Sequence, residues 1–270
     1  MKSVLINANN DEGWTARFQA SLDIARAFGS HLDFIQAMPL IDAIGSPLWF
    51  VPYPDLANEI VESGREHRGH VEAQLRGEGV SWEWSAITSE PSYALTERSG
   101  LADLIVVSAP GGKRGEAGSL EVAIAGSLCT HARGPVLAVP TQVKRFDPLG
   151  TALIAWNGSL ESAHALRLAL PMLTKAARVF VLEVTEDEGP KFPATDASQY
   201  LARHGVASEL HCWEREERKV SDIVLDAAST LGADYIVAGA YGHSRFREAV
   251  LGGVTRGLLR DATIPVVMAH

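Results

Sequence analysis

Short apolar runs alternate with longer segments in which apolar positions recur every three or four residues, and this alternation continues along the whole chain. Runs such as Leu104-Ile105-Val106-Val107 carry no polar interruption, which suits strands covered on both faces of a sheet. The pattern predicts strands near 2–8, 31–37, 80–88, 103–108 and 135–140, then near 151–156, 177–184, 206–213, 233–238 and 264–269. Helices are predicted near 12–28, 54–77, 91–100 and 119–132, then near 159–173, 194–204, 218–231 and 250–261. Strands alternating with helices give a mainly parallel sheet with right-handed crossovers.

The second series repeats the first. Ser3-Val4-Leu5-Ile6-Asn7-Ala8-Asn9 is matched by Ala152-Leu153-Ile154-Ala155-Trp156-Asn157, and Ala102-Asp103-Leu104-Ile105-Val106-Val107-Ser108-Ala109 by Ala233-Asp234-Tyr235-Ile236-Val237-Ala238-Gly239-Ala240. Pro135-Val136-Leu137-Ala138-Val139 is matched by Pro265-Val266-Val267-Met268-Ala269. Matched strands in the same order indicate a duplication. The expected fold class is therefore α/β, with two doubly wound parallel-sheet domains in tandem at 1–142 and 150–270, and residues 144–150 read as a linker.

Ligands of such sheets sit beyond the carboxyl ends of the strands, where the strand order reverses. The loop after the fourth strand of the second half runs Gly239-Ala240-Tyr241-Gly242, then nine residues, then Gly252-Gly253-Val254-Thr255 at the start of a helix. Glycines let backbone approach an anion, and the free amides and dipole of a helix start favour negative charge. Taken alone, the same glycines are equally compatible with a turn and close helix packing.

This spacing resembles the ATP-binding signature of the universal stress protein family, and the likeness extends through both strand–helix series. The resemblance implies the doubly wound, Rossmann-like fold, a stress-response or regulatory role, and ATP or AMP as ligand, with Mg2+ as a companion to the phosphates. It maps Gly239, Gly242, Gly252, Gly253 and Thr255 onto the phosphate loop. Gly253 stands where the family usually has Ser or Thr, so the amide is kept and the hydroxyl lost. Asn157, followed by Gly158 and Ser159, stands where the family typically has Asp near adenine and ribose, and Val184 would offer its backbone to the adenine. His243, Arg245 and Arg247 lie beside the glycine turn, as phosphate contacts or as solvated loop surface. In the first half Val122-Ala123 occupy the place of the Gly-Ser pair, Gly126-Ser127 fall inside a helix, and Asn9 takes the Asp place. That half reads as a partner with a degenerate site. The last strands, 135–140 and 264–269, are expected to pair within the chain, with a homodimer as a further expectation.

Composition narrows the alternatives. A formal charge of −9 disfavours nucleic acid and anionic membranes as partners. No apolar run approaches the roughly 20 residues that span a bilayer, and the opening residues form a strand and not a secretion signal, so the cytoplasm is the expected location. Cys129 and Cys212 each read as a small buried hydrophobe. Glu66, His67 and His70 sit at helical spacing, as a metal pair or, more commonly, a solvated face. Gly111-Gly112-Lys113-Arg114 lacks Walker spacing, and no Gly-x-Ser-x-Gly elbow or acid–base pair is evident. Nucleotide binding without efficient turnover is the leading expectation; a nucleotide-independent interaction module and a weak ATPase are the alternatives.

Overall fold

The computed structural model describes residues 1–38, 54–112, 119–185, 192–240 and 252–270. The first half comprises β1 (Ser3–Asn7), α1 (Trp14–Phe28), β2 (His31–Met38), α2 (Pro54–Leu75), β3 (Ser81–Thr88), α3 (Pro91–Arg98), β4 (Leu104–Ala109), α4 (Leu120–His131) and β5 (Val136–Pro140). The second comprises β6 (Thr151–Trp156), α5 (Leu160–Leu173), β7 (Arg178–Thr185), α6 (Ala194–Arg203), β8 (Glu209–Glu214), α7 (Val220–Leu231), β9 (Tyr235–Gly239), α8 (Gly253–Asp261) and β10 (Val266–Ala269). The predicted strands and helices are present, their ends shifted by no more than about a helical turn.

The ten strands among the described residues form one sheet in the order β3-β2-β1-β4-β5-β10-β9-β6-β7-β8. Pairing is parallel within each half. At the centre β10 runs antiparallel to β5, with Val266 opposite Ala138, Val267 opposite Leu137 and Met268 opposite Val136. One apolar layer lies under α1, α2, α5 and α6, the other under α3, α4, α7 and α8. Both layers draw residues from both halves, so the sheet has a continuous core on each face. The repeat extends to polar detail. Asp103 accepts from the Ser3 amide at 3.2 Å, and Asp234 accepts from the Thr151 amide at 2.7 Å, each fastening the start of the first strand of its half.

Three sequence expectations change. The segment 144–150 is more than a linker: Phe146 is buried, meets Tyr235 edge-on at 5.9 Å, and receives an anchor on its amide from Asp23 at 3.0 Å. Cys129 is buried as expected, its thiol pushed up to about 12 by burial, but Cys212 is exposed because β8 is an outer strand. The histidines of α2 part company: His70 is exposed, whereas His67 is 6% exposed and packs edge-on to Trp14 at 4.7 Å and to Trp84 at 5.9 Å.

His67 Nε2 finds no hydrogen-bond partner among the described residues. Burial lowers the pKa of this ring, the charges of Arg17 and His70 push the same way, and a backbone hydrogen bond at Ala8 and the charge of Asp11 pull back. The folded state thus binds fewer protons than the unfolded chain once the pH falls below about 6.5, the free histidine value. This contribution to stability is intact above that pH and is lost on acidification. The midpoint of urea unfolding is expected to fall more steeply between about pH 7 and 5 in wild type than in H67F, which keeps an aromatic ring. Equal slopes would remove His67 from this account.

Candidate functional site

The strand order reverses direction of winding between β6 and β9, and the loops leaving these two strands flank the resulting crevice. Trp156 is paired with Glu183 on one side, while Ala155 is paired with Ala238 on the other. Residues 157–159 and Ala240 therefore emerge together.

The helix start bordering this crevice carries no N-cap side chain. Gly252 is the N-cap of α8 and supplies no side-chain cap, and Gly253 and Val254 after it are exposed. Thr255 is 3% exposed and packs inside. Gly253 has open space around the position of a Cβ. Asn157 is exposed, and its Oδ1 accepts from the Ser159 amide at 3.2 Å across Gly158, whose φ is 68°. Ser159 is the N-cap of α5: its hydroxyl accepts from the Ser162 amide at 3.1 Å. Gly239 serves packing, since a Cβ there would lie 2.6 Å from Ser162 N and 2.7 Å from Glu161 C. Val184 lies at the end of β7, paired with Trp213. Gly242, His243, Arg245 and Arg247 lie outside the described residues.

Phe192 was not singled out from sequence. Its carbonyl accepts from Trp156 Nε1 at 2.9 Å and its amide donates to Gly158 O at 3.2 Å, so the chain leading into α6 is fastened over the end of β6. A tryptophan ending a strand was the available signal, but its partner is remote in sequence.

The same place in the first half is filled by the protein itself. Arg17 is fully buried at the ends of β1 and β4, donating from Nε to Asn7 O at 2.5 Å, from Nη2 to Asn9 O at 2.7 Å and from Nη1 to Ser108 Oγ. Asp11 receives both terminal nitrogens, at 3.0 and 3.1 Å. Burial lowers the Arg17 pKa while Asp11 opposes that shift. Asn9 Oδ1 is taken by the Ala37 amide at 2.8 Å. Helix α4 begins earlier than α8 relative to the following strand, Ser119 caps its Val122 amide at 3.4 Å, and Val122 is buried. Beside this plug a cleft of about 370 Å³ persists between the ends of β1 and β2 and α2, lined by Asn9, Asn10, Gln36, Met38, Glu59 and Ser63.

Residues 149–270 match the sequence model described as the Universal stress protein family. A universal stress protein of Mycobacterium tuberculosis (strain CDC 1551 / Oshkosh) is 24% identical, the alignment covering 79% of this chain and 73% of that protein. One of Mycobacterium bovis has the same identity and coverage. The fold is similar to a crystal structure of a universal stress protein from Archaeoglobus fulgidus DSM 4304, with a TM-score of 0.77 at 14% identity, covering 99% of this chain and 97% of that one. A putative universal stress protein from Pseudomonas aeruginosa UCBPP-PA14 gives a TM-score of 0.60 at 18% identity, covering 99% and 92%.

Two sets of variants test these assignments. G239A forces a Cβ against backbone and should cost about 1–3 kcal/mol, whereas G253A should be neutral or slightly stabilising; equal effects in denaturant titrations would contradict the packing role of Gly239. R17M leaves Asp11 and two backbone carbonyls without their donor and should cost on the order of 3 kcal/mol. A loss below about 0.5 kcal/mol, the scale of an ordinary surface change, would show that Arg17 does not hold the first half's strand ends.

Proposed function

Because the chain belongs to the universal stress protein family through its C-terminal half, we propose that this half binds an adenine nucleotide, ATP or AMP, in the crevice between β6 and β9. The supporting observation is the start of α8, where Gly252 as N-cap supplies no side-chain cap and Gly253 and Val254 after it are exposed. Unpaired amides at a helix start complement phosphate oxygens, and glycine leaves room for close approach. Asn157 lies at the surface on the β6 side, where its amide suits a base or ribose, and Val184 is the next-to-last residue of the neighbouring strand β7. Mg2+ would accompany a triphosphate.

In this reading residues 1–142 form a scaffold domain with its crevice closed by Arg17, and residues 150–270 form the nucleotide domain. The role is regulatory, in a cytoplasmic stress response, with binding altering a surface offered to another protein or to a second copy of the chain. A nucleotide-independent interaction module is the second reading. Buried Thr255 favours it, as does the use of the Ser159 hydroxyl as a helix cap.

Equilibrium titration with labelled ATP and AMP separates the two. Saturable binding below about 1 mM is expected, and G253E should weaken it at least tenfold by placing a carboxylate where phosphate would sit. The same acid at a helix start leaves or improves thermal stability. Absence of saturable binding, or unchanged binding by a folded G253E protein, would leave the module reading. Steady phosphate release during the titration would add a slow ATPase to the first reading.

A further inference from the structure

At the amino ends of β1, β2 and β3, separated along the sheet from the β6–β9 crevice by β4, β5 and β10, α3 leaves part of the sheet face open. His31 and Asp33 lie two apart on β2, and Glu83 is directly opposite Asp33 on β3. One imidazole nitrogen and one oxygen from each carboxylate lie within 4.8 Å of one another. We propose that His31, Asp33 and Glu83 bind a divalent ion of the zinc class.

The cross-strand arrangement itself points to a cation. Like charges directly opposite each other on paired strands repel, and Asp33 faces Glu83 in this way. A divalent ion between the carboxylates converts that repulsion into attraction. The distances also fit. His31 Nε2 is 3.3 Å from Asp33 Oδ1, and two ligands bound at about 2.0–2.1 Å in a tetrahedron are about 3.3 Å apart.

Outer contacts orient the ligands. His31 Nδ1 is 2.6 Å from Ser81 Oγ, and in the tautomer that donates this bond Nε2 carries the free lone pair. Asp33 Oδ2 accepts from Ser3 Oγ at 3.3 Å, leaving Oδ1 for the ion. Such partners hold metal-ligating groups in place. An imidazole beside two carboxylates suits Zn2+ or Co2+ better than Ca2+ or Mg2+, which favour all-oxygen shells. Three protein ligands leave a fourth position open. A cavity of about 220 Å³ adjoins the cluster, lined by Asp33, Glu83, Ser85, Arg98 and Leu101, with room for a water or a small anionic ligand there. Bound metal would also tie the outer strand β3 to β2.

The test uses the full chain, stripped with a chelator and titrated with Co2+ and then Zn2+. Saturable binding of a single ion per chain is expected, with the visible absorption of tetrahedral Co2+, displaced by Zn2+. H31A and E83Q should each weaken binding at least tenfold, and S81A by about tenfold through loss of the orienting contact. H70A and H131A, histidines elsewhere on the surface, should bind as wild type does. Zn2+ should raise the thermal midpoint of wild type and not that of E83Q. If H31A does not fold, D33N gives the same reading, since it keeps the side-chain shape. No saturable Co2+ binding below about 100 µM, or equal binding by wild type and either H31A or D33N, overturns the proposal.

Discussion

The ladder between β5 and β10 is the constraint on which the architecture rests. Each half ends in a short, wholly buried strand, and such a strand left at a sheet edge would present unpaired backbone to solvent. Pairing the two edges satisfies that backbone and aligns the apolar faces of both halves. Helices of corresponding rank then fall on the same side, so α4 and α8 cover one layer across the seam while α1 and α5 cover the other. Phe146 and Tyr235 reinforce the joint from the connecting segment.

Duplication within one sheet lets corresponding positions take opposite uses. Ser108 on β4 and Gly239 on β9 occupy the same place in the repeat. In the first half the strand carries the hydroxyl and Gly13 at the head of α1 makes room for it, a Cβ there meeting Ser108 Oγ at 2.1 Å. In the second half the strand has lost its side chain and the backbone of α5 moves in against Gly239. The first arrangement gives Arg17 a polar seat at the strand ends; the second leaves no such acceptor on β9. Helix starts diverge likewise, capped by Ser119 at α4 and bare at α8.

Much of the fold was legible because burial on both faces writes itself as unbroken apolar runs; the structure adds that Ser119, Ser159, Gly29 and Gly232 cap helix ends. The candidate site was drawn from glycine spacing, with Asn157, Ser159, Val184, His243 and Thr255 added through the family resemblance. Spacing identified Gly239 and Gly252, but whether a glycine admits a ligand or a neighbouring helix depends on the angle at which α5 meets β9, which no local pattern records. Arg17 was overlooked because a basic residue inside a helix normally reads as surface; its acceptors come from two separate segments, residues 7–11 and Ser108 on β4. His67 was misread for the related reason that one turn of α2 bends its polar pattern inward between two tryptophans. Cys212 failed in the other direction: alternation cannot tell an outer strand from an inner one.

The antiparallel seam has a geometric consequence. Because the strands of the two halves run in opposite directions, their carboxyl termini lie on opposite rims of a single slab. The guanidinium-filled recess and the bare helix start thus look away from each other, and the β6–β9 mouth shares its rim with the amino ends of β1, β2 and β3. A molecule docking flat against either rim would meet the carboxyl strand ends of one repeat and the amino strand ends of the other.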